Sequence, residues 1–155
     1  MKWIGFVLLL LAAAAWAYSP TPVQKSPAEI ELKAALDKAE TNEAKAQVAT
    51  EFLNSKPTDI PAARMAQDAI FKTLEEPAPF FKARAEQSES VVDHYLSARA
   101  SGDSTVMAQE AAWILEKDSK NSWGHMLAGF AEWERATPDK SKVEKHFQDA
   151  IAADP

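Results

Sequence analysis

The residues able to do acid-base or metal chemistry are three histidines, His94, His125 and His146, among 23 acidic side chains. A metal site built on one helix announces itself as His-x-x-x-His, which sets two imidazoles on one face a turn apart, and a thiolate site announces itself as paired Cys. Neither pattern occurs, and the chain contains 0 Cys. Asp93 and His94 are adjacent, so on a helix they point in different directions and cannot work as a pair. His125 and Glu132, seven apart, share a helix face, which is the one pairing that spacing offers. There is no Gly-rich phosphate loop and no Gly-x-Ser-x-Gly nucleophile turn. The expectation is a protein that is not an enzyme, with no metal ligands and no cofactor.

The chain offers a surface in place of a reactive centre. Trp123, Met126, Phe130 and Trp133 recur at steps of three, four and three, placing four large apolar side chains along one side of a helix. Gly124, Ala128 and Ala131 lie on the opposite side. Such a helix lets a neighbour approach closely on its small face, while its bulky face either covers a core or meets a ligand. The stripe therefore has two readings: a platform for a partner's side chains, or core covered by other helices.

Composition narrows the class of partner. With 155 residues, 46% apolar and 26% charged, the chain is long enough for one domain with a core. Only 4 Gly stand beside abundant Ala, Glu, Lys and Gln, which favours helix over sheet. The net charge is -6 and no run of Lys or Arg exists. Nucleic acid is not expected as a partner on this ground, because displacing its counterions needs a clustered basic footprint.

The N-terminus reads as a targeting segment. Lys2 precedes a continuous apolar run from Trp3 to Ala15, and Ala15-Trp16-Ala17 puts small residues where signal peptidase needs them. Cleavage is expected after Ala17, leaving a net charge of -6 minus 1, or -7. An uncleaved anchor is the competing reading, but the run is shorter than the roughly 20 residues of a spanning helix. Membrane contact is thus expected only through an uncleaved leader, and the protein is expected in the periplasm or secreted. With 0 Cys there is neither a disulfide nor a lipidated N-terminal cysteine.

The remaining elements follow from caps and breakers. Residues 18–26 form a Pro-containing tether, residues 27–87 hold N-terminal helices, and residues 88–155 hold two helical hairpins. Ser26-Pro27-Ala28-Glu29 carries a capping Ser, a Pro at the first helical position and a Glu to complete the box. A second helix is expected from about Glu43 to Asn54 with Val48 and Phe52 inward. The third carries Ala62, Met65, Ala66, Ala69, Ile70 and Leu74, with Glu76-Pro77-Ala78-Pro79 as its stop and Phe80-Phe81 opening the next. Ser90 reads either as a fresh cap or as a kink. Helices are then expected over Val91 to Ala100, Thr105 to Lys117, and in two runs after Asn121.

The two C-terminal hairpins share a layout. Ile114 to Ser119 (ILEKDS) and Ala150 to Pro155 (AIAADP) lie 36 residues apart, while Gly129 falls 34 after Tyr95, the difference being assigned to a longer turn at Thr137-Pro138-Asp139. Gln67-Asp68-Ala69-Ile70 is echoed by Gln148-Asp149-Ala150-Ile151. A period in this range built from paired helices marks a helical solenoid. With Gly129 at the close crossing, Phe147 and Ala150 on the second helix, Asp154-Pro155 closing the unit and Gly102-Asp103 in the preceding turn, the chain resembles the tetratricopeptide repeat family. Tyr95 stands where that family has Gly, Met107 and Val143 where it has a small Ala, and Ser119 where it has the closing Pro.

That resemblance implies an all-α fold, a TPR-like α-solenoid of helical hairpin repeats, whose first helices line a groove for a protein or peptide partner. Groove residues implied by it are Trp123, Met126, Phe130 and Trp133 in the last unit, and Glu89, Val92, Leu96 and Arg99 in the one before, with Arg99 available to a carboxylate. The implied role is that of a scaffold or assembly factor. One alternative is the N-terminal helical part of a longer cell-envelope protein whose activity lies beyond Pro155, and a further one is an enzyme of unknown chemistry.

Overall fold

A computed structural model describes residues 24–153, so the leader and its cleavage point lie outside the described residues. Those residues form eight α-helices and no strand. In chain order they are α1 (Pro27–Lys38), α2 (Asn42–Asn54), α3 (Ile60–Ile70), α4 (Pro77–Glu86), α5 (Val91–Ser101), α6 (Ser104–Lys117), α7 (Ser122–Trp133) and α8 (Lys140–Ala153). The fold class is all-α, as expected.

Local chemistry sets most of the starts. Ser26 Oγ accepts from Glu29 N–H and Glu29 Oε2 accepts from Ser26 N–H, both at 3.0 Å, which completes the capping box of α1. Thr41, Asp59, Asp103 and Asn121 each accept a backbone N–H from the first turn of α2, α3, α6 and α7. Asp139 does the same for α8. Gly102 ends α5 at φ +60°, the left-handed conformation that glycine adopts without a Cβ penalty.

Two breaks differ from expectation. The third helix stops at Ile70 and does not reach Leu74; a turn at residues 71–73 follows it. Pro77 and Pro79 do not precede the next helix but sit in the first turn of α4, where the N–H groups they lack have no intrahelical partner in any case. Ser90 is a fresh start: a break separates α4 from α5. In α2 the innermost residues are Ala49 and Leu53, while Val48 and Phe52 pack half-buried beside them.

The helices stack in two rows. Odd-numbered helices touch in succession, α1 on α3, α3 on α5 and α5 on α7. Even-numbered helices flank that row, with α2 on α3, α4 on α5, α6 on both α5 and α7, and α8 on α7. The two C-terminal hairpins therefore share contacts through α5, α6 and α7. Helices inside the row are enclosed on several sides, so their burial follows no single stripe: α5 buries Val92 through Ala98 without a gap. Gln67, fully enclosed on α3, is satisfied by donating to the Leu96 carbonyl at 2.7 Å and accepting from Arg99 Nη1 at 2.6 Å.

The spacing of the helix starts differs from the one read along the sequence. α6 and α8 have 14 residues each and start 36 apart, at Ser104 and Lys140. α5 and α7 start at Val91 and Ser122, which is 31 apart rather than 34. The turn before α8 is longer by four residues and α7 is longer than α5 by one, which together make the difference of five. In this register Ala98 answers to Gly129 and Leu96 to Leu127, and members of both pairs are buried. The Gln-Asp-Ala-Ile echo marks no common position, because Gln67 is enclosed within the odd row whereas Gln148 is exposed on α8.

Candidate functional site

The small face of α7 is its packed face. A Cβ on Gly124 would meet Ile114 Cγ2 at 2.9 Å and Leu115 Cδ2 at 3.0 Å, and one on Gly129 would meet Phe147 Cε1 at 2.8 Å. Glycine lets α6 and α8 close on α7 from two sides. Gly129→Val is expected to cost about 1–3 kcal/mol by overpacking. It should also drive the Phe147 ring out of its edge-to-face contact with Phe130, now 5.3 Å between centroids at 74°. Urea unfolding with near-ultraviolet dichroism reads both effects. An unchanged midpoint would show that the crossing has slack.

With its small face packed, the bulky face of α7 points outward. Phe130 is 45% exposed and Trp133 60% exposed, while Trp123 and Met126 are half-buried against the core. Trp123 sits edge-on to Tyr95 at 5.3 Å, with the Arg64 guanidinium 5.8 Å from its ring centre, so part of it is already engaged by α5 and α3. Its free edge joins Met126 of α7 with Phe147, Ala150 and Ile151 of α8 to line an apolar groove of about 380 Å³. Ile151 is 68% exposed.

The other expected groove residues fall elsewhere. Val92 and Leu96 are 3% and 0% exposed, enclosed where α5 runs between its neighbours, and cannot touch a partner. Arg99 is not free for an incoming carboxylate: its Nη2 donates to Asp68 Oδ1 at 2.7 Å, its Nη1 to Gln67, and it lies over the Phe71 ring at 5.5 Å. These three assignments came from the 34-residue register. Under the 31-residue register Met126 answers to Tyr95 and Phe130 to Arg99, so the earlier unit presents no matching stripe.

A second cluster lies between α7 and α8, where spacing along one helix had given no metal ligands. His125 of α7 and His146 of α8 approach with their Nδ1 atoms 3.4 Å apart, and Asp149 Oδ2 is 3.9 Å from His125 Nδ1. The three ligand-type atoms lie within 4.8 Å of one another, partly buried. Burial chiefly, then the adjacent His125 and Lys145, lowers the His146 pKa and favours its neutral form. Lys145 Nζ donates to Asp149 Oδ2 at 2.6 Å and lowers that carboxyl's pKa. His146 and Asp149 are three apart on α8, a same-face spacing, but His125 joins only through the hairpin.

His94 is a packing residue. Its ring stacks on Trp113 at 3.5 Å, its Nδ1 meets Glu110 Oε2 at 2.6 Å and its Nε2 meets the Ser88 carbonyl at 3.2 Å, clipping α5 to α6. Glu132, the expected partner of His125, instead accepts from Asp139 N–H and Arg135, bonds that lower its pKa. Comparison with family models, with curated proteins and with solved structures finds no match. No described helix is long and apolar enough to cross a membrane.

Proposed function

We propose that this chain is an exported helical-repeat module, TPR-like in construction, that acts as a scaffold or assembly factor by accepting an amphipathic helix of a protein partner in the groove between α7 and α8. One observation carries the reading. Inside the stack, Ile114 and Leu115 of α6 are the side chains that meet α7 at Gly124. The residues 36 further on, Ala150 and Ile151 of α8, line the open groove. Among the described residues, the surface that α7 covers on α6 has no counterpart helix on α8. The groove's occupant would be a helix with a small residue at the crossing and apolar neighbours at i+3 and i+4. Apolar exposure of this kind on a chain of net charge -6 is a contact surface, since scattered single residues would not line one groove.

The probe follows from the fold. A labelled peptide of residues 121–135 contains the helix that fills the equivalent place between α5 and α6. It should bind the full chain with saturable fluorescence anisotropy. Ile151→Asp should weaken it at least about tenfold, or 1.4 kcal/mol. A peptide that fails to bind, or binds Ile151→Asp equally well, removes the groove from consideration. Binding that appears only as self-association of the chain would assign the groove to a second copy. Export rests on the leader, and an intact Met1 in the mass of the exported protein would overturn the cleavage after Ala17.

A further inference from the structure

We infer that His125, His146 and Asp149 form a binding site for a divalent transition-metal ion of the zinc class, cross-bracing α7 to α8. The two C-terminal hairpins supply an internal comparison. In the inner one, His94 directs Nε2 to the Ser88 carbonyl and Nδ1 to Glu110, beside Trp113. In the outer one, 31 residues on, His125 directs Nε2 to the Ser119 carbonyl at 3.1 Å. Its Nδ1 faces His146 and Asp149, each 36 residues beyond Glu110 and Trp113. The same architectural position that holds a closed acid-and-aromatic clip in one hairpin holds two imidazoles and a carboxylate in the next.

The geometry suits a metal better than a hydrogen bond. The Ser119 carbonyl only accepts, so the bond to it places the His125 proton on Nε2 and leaves an electron pair on Nδ1. That arrangement is the outer contact that fixes the tautomer of ligating histidines. The facing nitrogens at 3.4 Å are long for an N–H···N bond. They match the edge of a tetrahedron, which for Zn–N bonds of about 2.0–2.1 Å is about 3.3 Å. Asp149 completes the third position by rotating inward, released from Lys145, whose side chain is 72% exposed. A water fills the fourth. Two imidazoles and a carboxylate suit Zn²⁺ or Cu²⁺ and leave Mg²⁺ and Ca²⁺, which want oxygen, poorly served. His146 and Asp149 face away from Phe147 and Ile151 on α8, so the site stands independently of the groove.

Co²⁺ is the probe, titrated into the chelator-treated full chain and then displaced by Zn²⁺. One ion per chain with the intense visible absorption of four-coordinate cobalt is expected, and His125→Gln, His146→Gln and Asp149→Asn should each weaken binding at least about tenfold. Lys145→Met, which frees the carboxylate, should bind at least as tightly. A weak six-coordinate spectrum, or equal binding by the wild type and a folded histidine variant, overturns the site. Should a histidine variant lose its far-ultraviolet helix signal, Asp149→Asn decides, because that side chain is 35% exposed and its removal leaves the packing intact.

Discussion

Phe81→Ala should lower the stability of the fold by about 4 kcal/mol, moving the thermal midpoint down by roughly 10–15 °C for a chain of this size. Phe81 is 0% exposed and meets two rings edge-on, Phe71 at 5.7 Å and Phe80 at 5.0 Å. α4 has 10 residues and buries only one other side chain, Ala85. Alanine there leaves a cavity beside the Phe71 and Phe80 rings, and whatever part of it does not collapse adds to the lost transfer energy. Phe81→Leu retains much of the volume and should cost less than half as much. Urea denaturation measures both. A loss under about 1 kcal/mol for the alanine variant would mean that α4 docks by other means.

Arg84→Ala should rank next, at about 3 kcal/mol, the lower end of the range for breaking a buried pair. The guanidinium donates in three directions: Nε to Asp93 Oδ1 at 3.1 Å, Nη1 to Asn54 Oδ1 at 2.9 Å and Nη2 to the Leu53 carbonyl at 3.0 Å. It thus closes the C-terminal end of α2 and ties α4 to α5. Side-chain exposures of 20% for Arg84 and 11% for Asp93 leave little water to replace the lost bonds. The carboxylate would then stay enclosed without its counter-charge, which dominates the cost. Arg84→Lys supplies one charge but not the planar fork, and should recover less than half. Adding Asp93→Asn to Arg84→Ala should restore part of the loss, because the unpaired charge goes with it. Equal instability of the single and double variants would assign the effect to the Leu53 and Asn54 bonds.

Both residues lie where sequence reading was weakest. Phe81 was legible as apolar and helical, but nothing near it signalled that it is the one large side chain of α4 to be fully buried. Asp93 and Arg84 are nine apart and belong to different helices, so their pairing has no signature along the chain. α5 misled for a related reason. A helix flanked by α3, α4, α6 and α7 has no solvent face to carry a polar stripe, and Val-Val-Asp-His-Tyr-Leu-Ser-Ala gives no period to read. Val92 and Leu96 accordingly looked like a groove and are core.

The sequence alone determined the all-helical class and where most helices begin. Those starts are decided within three residues, by Ser26 with Glu29, and by Thr41, Asp59, Asp103 and Asn121 bonding the N–H groups just after them. It also determined that one side of α7 is small and the other bulky, since that follows from the helical repeat. Tertiary structure decided which of the two is covered. Close approach of α6 at Gly124 packs the small side, α8 closes on a second side at Gly129, and Phe130 and Trp133 are left exposed. It likewise decided the meeting of His125 with His146 and Asp149, because the turn before α8 sets how the hairpin folds back and no spacing within one helix encodes that.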